Sequence, residues 1–421
     1  MKDLLLTDLP DGWCWSQLVD LCEKITDGTH HSPKNGPTGK YKYITAKNIK
    51  PWGLDLQNIT YIDEATHREI YSRCDVKKND VLFIKDGATT GQAVVNHLDE
   101  EFSLLSSVGV FRTNEKLDPD YLRYALLSPN VKKALLANMA GVAITRLTLT
   151  KLKAAFIPIA PPEQQKCIVA KIEELFSHID AGIEALKNAK QLLKQYRQSV
   201  LKAAVTGELL DKPFPSEIYK STNHGLESLG QGWSPKCAKE PSPSEDVWGV
   251  IKTTAVQSLE YLQEENKRLP GNLEPRPKLE VMSGDILVTR AGPRVRVGVC
   301  CLVKETRKKL MICDKVYRLR PDTESILPEY LEIVLNAPQV QKEIERLKTG
   351  ISDSGVNLTQ KKFVGLTIPY PSIDEQKRLI GLVYEKTEAI ARLENELESQ
   401  SKKAEKNKQS ILASAFNGSL S

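Results

Sequence analysis

Basic side chains gather in three stretches of the 421-residue sequence that contain no acidic residue. Residues 28–54 hold five lysines and two histidines, and residues 121–162 hold six basic residues. Residues 286–304 hold three arginines and one lysine. Because the net formal charge of the whole chain is only +5, these stretches indicate a localised surface for a polyanion, and nucleic acid is the first candidate. The alternative is that neighbours in sequence face different ways.

Known catalytic motifs are missing from the sequence. The string GPTGKY at 36–41 has neither the spacing of a phosphate-binding loop nor a hydroxyl residue after its lysine, which argues against ATP hydrolysis. The Pro161-Pro162 pair is not preceded by Asp or Asn, so the loop with which an amino-methyltransferase holds its target base is absent. No Pro-Asp pair leads into the acid-x-Lys of a magnesium-dependent nuclease, and no GxSxG supports a hydrolase. We therefore expect a chain without catalytic activity.

No metal site, cofactor site or membrane segment is expected either. The adjacent His30 and His31 have no nearby acidic or thiol ligand, and the 8 cysteines include no CxxC pair. No apolar run approaches the roughly 18 residues of a membrane-spanning helix, and the N-terminal residues lack the pattern of a signal peptide. These features predict a cytoplasmic protein whose thiols are reduced.

The sequence repeats one plan twice, at offsets between 205 and 211 residues. The matched strings are NDVLFIKDG (79–87) with GDILVTRAG (284–292), LDPDYLRYALLSPNVKKAL (117–135) with ILPEYLEIVLNAPQVQKEI (326–344), FIPIAPPEQQK (156–166) with LTIPYPSIDEQKR (366–378), and SVLKAAVTGEL (199–209) with SILASAFNGSL (410–420). Such internal similarity indicates two copies of one globular domain, each followed by a helix.

A seven-residue apolar repeat predicts that both helices are long and form a coiled coil. The predicted helix-helix packing positions are Ile172, Ile179, Leu186, Leu193 and Val200 in the first copy and Val383, Ile390, Leu397 and Ile411 in the second, with Leu393 on the adjacent seam. A helix of about 45 residues with so narrow an apolar stripe needs a partner. The economical partner is the other copy, folded back antiparallel. A coiled coil between two chains is the alternative.

The globular halves are predicted to be mixed. Strand-like runs such as DVLFIK and DILVTR are bounded by Gly, Asp and Asn, helical stretches fall at 119–137 and 328–347, and residues 212–249 are predicted as linker and irregular surface because they are rich in Pro, Ser and Gly. The predicted fold class is α+β, with two similar mixed α/β domains separated by two long antiparallel coiled-coil helices in a pseudo-two-fold repeat. The predicted boundaries are 1–160 and 211–370 for the globular domains and 161–210 and 371–421 for the helices.

This pattern resembles the specificity subunit of type I restriction-modification enzymes, over essentially the whole chain. The strings that carry the resemblance are IPIAPPEQQK and IPYPSIDEQK at the helix entries, VLKAAVTGEL and ILASAFNGSL at the helix exits, GDILVTR followed by VGVC, and the loops LPDGW, ITDGTHHSPK, GWSPKCAKEP and WGVIKTTAV. Their order and two-fold repetition are more specific than any one string.

The resemblance implies a division of labour. Each globular unit would be a target recognition domain that reads one half of a bipartite site in double-stranded DNA. The two-fold repeat of the protein would correspond to the two half-sites, as the symmetry of a DNA-binding dimer does. The antiparallel helices would set the spacer length, so that a change in helix length changes the spacer, and would dock two modification (methyltransferase) subunits. Those subunits would bind S-adenosylmethionine and methylate adenine, while restriction subunits would use ATP and Mg²⁺. This chain would bind no cofactor.

Candidate DNA-contacting residues follow from the side-chain chemistry of recognition, in which Arg or Lys reads guanine, Asn or Gln reads adenine, and Lys, Ser or Thr holds phosphate. In the first domain they are Thr29, His30, His31, Lys34, Lys47, Asn48, Lys85 and Arg146. In the second they are Lys236, Lys252, Thr253, Thr254, Arg290, Arg294 and Arg296. Lys85 and Arg290 each follow a predicted strand at matching positions of the repeat. A solvated side chain, or one that touches only phosphate, is the alternative for each.

A stand-alone sequence-specific DNA-binding or scaffold protein, built as a fused dimer, is the competing interpretation. A neighbouring methyltransferase gene would favour the specificity subunit.

Overall fold

The computed structural model describes residues 9–137, 146–350 and 352–420. By its internal contacts the chain forms two compact units, Met1–Leu186 with Ser399–Ser421, and Lys187–Glu398. Each unit therefore combines one globular domain with parts of both long helices.

The globular part of the first unit is built from short strands and helices. Its elements are β1 (Cys14–Gln17), α1 (Leu18–Leu21), β2 (Cys22–Asp27), β3 (Tyr41–Ile44), β4 (Ile49–Lys50), β5 (Gly53–Leu54), β6 (Thr60–Ile62), α2 (Glu64–Arg73), β7 (Val81–Ile84), β8 (Ala93–Val95), β9 (Phe102–Leu104), β10 (Val108–Thr113), α3 (Pro119–Leu127), α4 (Pro129–Ala137), α5 (Leu149–Lys153) and β11 (Phe156–Ile159). The helix α6 (Pro162–Thr206) follows.

Two sheets form the framework of this unit. A four-stranded sheet has the order β2-β10-β7-β8, and a three-stranded sheet has the order β6-β3-β9, in which β3 and β9 are parallel. Strand β7 is buried on both faces because its side chains alternate between two cores. Val81 and Phe83 pack into one apolar cluster, whereas Leu82 and Ile84 pack into another. This explains why the run VLFI is continuously apolar.

The second unit repeats this arrangement. After α6 come β12 (Tyr219–Ser221), β13 (Leu226–Gln231), β14 (Gly249–Ile251), β15 (Val256–Gln257), β16 (Glu260–Tyr261), β17 (Asn266–Arg268), β18 (Ile286–Thr289), β19 (Ala291–Gly292), β20 (Cys300–Leu302), β21 (Leu310–Met311), β22 (Val316–Pro321), α7 (Pro328–Asn336), α8 (Pro338–Leu347), β23 (Val356–Asn357), α9 (Gln360–Val364), β24 (Thr367–Pro369) and α10 (Ile373–Ala415). The sheet order β13-β22-β18-β20 matches β2-β10-β7-β8, and β17-β14-β21 matches β6-β3-β9.

The long helices run antiparallel in both units. In the first unit Lys408 Nζ lies 2.5 Å from Asp180 Oδ1, and in the second Arg197 donates to Glu394 over 2.9 Å. Within the first unit Ile172 shares an apolar cluster with Leu412, whereas the later Leu186 lines a groove with the earlier Gln400. Within the second unit Arg197 meets Glu394, whereas the later Val200 shares a cluster with the earlier Val383. In each unit the partner on α10 moves toward the start of that helix as the position on α6 advances, which only antiparallel helices allow. These observations confirm the predicted fold class.

Each helix exit packs against the globular domain of its unit. In the second unit Val200, Leu201, Ala204 and Val205 belong to the cluster that contains Tyr330. In the first, Leu412, Ala415 and Phe416 belong to the cluster that contains Tyr121, and the Tyr121 and Phe416 rings meet edge-to-face at 5.1 Å. The repeated exit strings are therefore apolar ridges that fill a domain core.

A buried glutamine ties each helix entry to its domain. Gln165 accepts a hydrogen bond from the Asp118 N–H at 2.9 Å and donates to the carbonyls of Lys116 and Ala160. Gln376 accepts from the Leu327 N–H at 2.8 Å and donates to two carbonyls in the same way. The glutamine that precedes the lysine in the repeated helix-entry strings EQQK and DEQK has this structural role. We call these two side chains the glutamine clamps.

Candidate nucleic-acid interface

In the first unit, the end of strand β9 brings three of the predicted loops together. Segment 104–107 exchanges main-chain hydrogen bonds with Thr29 (2.8 Å), Ile44 (3.1 Å) and Lys85 (3.0 Å). The chain approaches so closely that a Cβ on Gly28 would lie 1.9 Å from a carbonyl oxygen, so only glycine fits there. The loop of Thr29, the turn after Ile44 and the end of β7 are therefore neighbours.

A cavity of about 150 Å³ opens beside this strand end, lined by Thr29, His30, His31, Glu69, Ile70 and Arg73. Arg73 pairs with the buried Asp27 at 2.7 Å, and His30 Nε2 lies 3.6 Å from the same carboxylate. Because Asp27 pairs with Arg73, the local positive charge is smaller than a count of basic residues indicates.

Lys85 lies inside the domain. Its side chain is buried, with Nζ 2.9 Å from Asp86 and 3.4 Å from Asp27. Asp86 follows β7 and Asp27 ends β2. The two carboxylates therefore compensate the positive charge of the Lys85 ammonium group within the domain. A direct contact between Lys85 and DNA would need this cluster to open, and its assignment stays a prediction.

The remaining candidates of this unit lie at its surface or in its turns. Lys34, Lys47 and Arg146 are exposed. Asn48 uses its side chain within the protein, since its amide oxygen accepts from Thr45 N at 3.0 Å and its amide nitrogen donates to the Asp55 carbonyl. Asn48 thereby fixes the turn that presents Lys47.

In the second unit the equivalent strand end forms a larger cleft of about 450 Å³, lined by Ser234, Pro235, Cys237, Val250, Ile251, Lys252, Thr253, Thr254, Lys267, Cys313, Asp314 and Lys315. Segment 312–315 occupies the place of segment 104–107, because it exchanges main-chain hydrogen bonds with Trp233 and Arg290. Three of the predicted residues, at 252–254, therefore share one cleft, whereas Lys236 is exposed and is not part of its lining.

The charges in this cleft are mostly positive. Lys252 Nζ lies 3.3 Å from Glu265, which also accepts a hydrogen bond from Thr254. The Thr254 hydroxyl and then the Lys252 ammonium group lower the pKa of Glu265, so that this carboxylate stays ionised. Burial raises the pKa of the Cys313 thiol to about 11, and this thiol is therefore protonated at neutral pH.

The three predicted arginines have different surroundings. Arg290 lies over the Tyr317 ring and donates to the Asp314 carbonyl at 2.9 Å, while its buried Nε has no hydrogen-bond partner in the described ranges. Arg294 pairs with Glu345 and Asp353, and the hydrogen bond to Glu345 is the largest cause of its raised pKa. Arg296 donates to Gln257 and to the carbonyls of Thr253 and Val256, which braces the turn with Thr253 and Thr254.

Three basic residues at these strand ends were not predicted from the sequence. Arg73 is separated from His30 by strands and loops, and Lys267 reaches the cleft through the antiparallel pairing of β17 with β14. Lys315 lies only two residues from Cys313 but is not part of an apolar or basic motif. Their proximity depends on strand pairing, which the repeat alone does not specify.

Comparison with known proteins agrees with this geometry. A family model for the type I restriction modification DNA specificity domain matches residues 10–191. The specificity subunit of type I restriction enzyme EcoEI from Escherichia coli is 39% identical over 225 residues, which cover 50% of this chain and 38% of that relative. The specificity subunit of EcoKI, from E. coli strain K12, is 25% identical over 98% of this chain and 90% of that relative. The first part of the chain is thus similar to the type I restriction modification DNA specificity domain, and nearly the whole chain is similar to the EcoKI specificity subunit.

Solved structures agree on the fold of this chain. One solved structure comes from work on the complex assembly and conformational transition of the type I R-M system. It aligns over 98% of this chain and 100% of its own chain, with a TM-score of 0.70 and 18% identity. The HsdS subunit from Thermoanaerobacter tengcongensis aligns over the full length of both chains, with a TM-score of 0.55 and 18% identity. The likeness is one of fold.

The predicted packing positions of the coiled coil differ in burial. Ile172, Val200, Val383 and Ile390 are buried, whereas the half-buried positions are Ile179, Leu186, Leu193, Leu397 and Ile411. Leu393, which the heptad assigns to the adjacent seam, is instead 53% exposed. In the first unit a groove of about 340 Å³ lies beside Ile179, Gly182 and Leu186 of the coiled coil.

Two further observations concern what the described residues lack. None of their His, Cys, Asp and Glu side chains forms a cluster of three or more that would hold a metal ion. In the same part of the chain, every helix is too short or too polar to cross a membrane.

Proposed function

We propose that this chain is the non-catalytic DNA-reading subunit of a type I restriction-modification system, in which each unit reads one half of a bipartite site. The observation that carries the proposal is the repetition of one strand-end arrangement in both units. Segments 104–107 and 312–315 make equivalent main-chain hydrogen bonds, to Thr29 and Lys85 in the first unit and to Trp233 and Arg290 in the second. Beside each segment lies a cavity with basic and hydroxyl side chains in its lining. Such side chains suit the phosphates and base edges of a duplex.

The long helices supply a fixed length between the two readers. A helix of 45 residues corresponds to roughly 65 Å at about 1.5 Å per residue. The glutamine clamps and the apolar helix exits attach each domain to this rod by buried contacts. We therefore propose that helix length sets the non-specific spacer of the site.

Catalysis would belong to partner subunits. We propose that two modification subunits dock on the helices, bind S-adenosylmethionine and methylate adenine in each half-site, and that restriction subunits add ATP- and Mg²⁺-dependent cleavage. This chain would bring neither nucleotide nor metal to the assembly, and the assembly would act in the cytoplasm.

The test is methylation of DNA by defined mixtures. The purified chain alone, its modification subunit alone and the two together are incubated with genomic DNA and S-adenosylmethionine, and methyladenine is mapped by single-molecule sequencing. We expect a split motif to be methylated only by the mixture. Methylation by the chain alone, or by the modification subunit without it, would refute the proposal. Tight sequence-specific binding by the chain alone, with no methylation by the mixture, would favour the fused-dimer interpretation.

A further inference from the structure

The hairpin formed by β4 and β5 ends in an exposed tryptophan. Ile49 pairs with Leu54 and Lys50 with Gly53, so the turn consists of Pro51 and Trp52. Ile49 is 3% exposed and anchors the hairpin in the core, whereas Trp52 is 78% exposed. An exposed tryptophan thus stands at the tip of a short hairpin that is anchored in the core.

The base of this hairpin is held rigidly. The Asp55 N–H donates to the Asn48 carbonyl at 2.7 Å, and the Asn48 amide donates back to the Asp55 carbonyl at 3.1 Å. Gly53 has a φ of +135°, a conformation that a residue with a Cβ rarely adopts. These contacts hold the main chain that carries Trp52, so that less of it must be ordered when a ligand binds.

The corresponding hairpin of the second unit is folded down onto its own domain. Strands β15 and β16 pair in the same register, with Ser258 and Leu259 in the turn. Ser258 donates to the Asn336 side chain at 2.8 Å, the Leu259 N–H donates to the Cys300 carbonyl, and the Leu259 side chain packs on the core. The same supersecondary unit therefore closes a core in one domain and projects a tryptophan in the other.

Two lysines lie close to Trp52 in the sequence, and Asp55 lies at the base of the hairpin. Lys47 is exposed in the turn immediately before the hairpin, Lys50 is half-buried on β4, and residues 28–54 contain no acid. The turn follows Ile44, whose carbonyl binds the strand end that carries the candidate interface. A polyanion held by these lysines would meet the indole ring.

We propose that Trp52 is a DNA-contacting residue of the first domain, whose indole packs into a groove of the duplex beside phosphates held by Lys47. This inference rests on the proposed function and adds an apolar contact that the second domain lacks. Indole rings suit such a contact because thymine methyl groups, sugars and base faces all offer apolar surface in or beside the grooves. The two half-sites are then read by unlike chemistry at this position.

The experiment uses the chain assembled with its modification subunits and a fluorescein-labelled duplex that carries the methylated motif. Trp52→Ala is expected to weaken binding roughly 5- to 100-fold, the range for loss of an aromatic contact with a base, and Trp52→Phe by much less. The control is Met282→Ala, which removes a different exposed apolar side chain. Met282 precedes β18, whereas Arg290 follows it, and this variant is expected to bind DNA like wild type. Because Trp52 is exposed, Trp52→Ala and Trp52→Phe should unfold at the wild-type temperature.

Tryptophan fluorescence supplies a second readout. The change in emission when wild type binds the duplex should be largely lost in Trp52→Phe, although four other tryptophans remain. Wild-type affinity for Trp52→Ala, together with specific binding by wild type, would overturn this inference and leave the proposed function intact. A wild-type assembly that binds the motif no better than a scrambled duplex would overturn the proposed function, and the inference with it.

Discussion

Removal of the second glutamine clamp should loosen the globular domain of the second unit from its helix by an amount that can be estimated. Gln376 is fully buried and makes three hydrogen bonds, from Leu327 N–H at 2.8 Å and to the carbonyls of Ser325 and Pro371 at 3.0 and 2.9 Å. Gln376→Ala leaves one donor and two acceptors without this partner. Each unsatisfied buried group costs about 1–3 kcal/mol, and water can reach part of the site, so we expect a loss of about 3–5 kcal/mol.

A second substitution tests whether hydrogen bonding, rather than volume, is responsible. Gln376→Glu keeps an acceptor for the Leu327 N–H but turns a second oxygen toward two carbonyls. Burial and these carbonyls should raise the pKa of the introduced carboxyl group above its unfolded value. Its folded form then holds a proton that the unfolded form has lost, so stability is present below the unfolded pKa and falls as pH rises through the folded pKa. Gln376→Glu should therefore approach wild type at pH 4 and resemble Gln376→Ala at pH 8.

The assay is urea unfolding of the full chain, combined with hydrogen exchange of peptides from each unit. We expect faster exchange in peptides that contain Leu327, unchanged exchange around Asp118, and the reverse pattern for Gln165→Ala. Gln409→Ala, at an exposed position of the same helix, is the control. A loss below 1 kcal/mol for Gln376→Ala, or a Gln376→Glu variant whose stability relative to wild type does not depend on pH, would refute this reasoning.

Two further predictions concern charge in the second unit. Lys267→Ala and Lys315→Ala should each reduce the slope of log DNA affinity against log salt concentration by about 0.9, the value for one lost phosphate contact. Lys308→Ala, at an exposed position outside the cleft, should leave this slope unchanged. Equal slopes for all three variants would show that the cleft is not part of the DNA interface. Burial raises the pKa of Glu332, so its contribution to stability falls as pH rises from the unfolded value through the folded one. Glu332→Gln should therefore flatten the pH dependence of urea unfolding and stabilise the protein at pH 8, and Glu324→Gln should do neither; a destabilised Glu332→Gln at pH 8 would contradict this.

The architecture was accessible from the sequence because two strong patterns repeat. The heptads predicted two long helices, and the structure has them at Pro162–Thr206 and Ile373–Ala415. The runs DVLFIK and DILVTR predicted strands, which are β7 and β18. Both kinds of pattern depend on local periodicity and therefore survive without knowledge of tertiary contacts.

Predictions failed where proline or distant pairing decides the structure. The stretches 119–137 and 328–347 are each two helices, because Ser128 and Ala337 precede prolines and adopt extended backbone with ψ near 140°. Residues 212–249 include strands β12 and β13 although their composition predicted linker. The polar sequence LESLGQ becomes an edge strand only because β22 lies beside it.

The candidate site was predictable as a set of loops but not as individual contacts. The repeat placed Lys85 and Arg290 at matching positions, and their main-chain surroundings do match. Their side chains differ because Asp27, 58 residues before Lys85, supplies an acid, whereas the corresponding position of the second unit is Gln231. Which basic residues are free to meet DNA depends on such long-range pairs, and the sequence alone does not reveal them.

The sharing of helix ends between units has a consequence for synthesis. The core around Tyr121 includes Leu412, Ala415 and Phe416, so the domain that leaves the ribosome first lacks part of its interior until the last helix is made. The second domain meets its own helix exit, Val200–Val205, before its strands have been translated. We expect the earlier domain to wait partly open, with its apolar surface exposed to chaperones, and the later domain to close as soon as it is made. Of the two globular domains, the one that is synthesised earlier would thus be completed later.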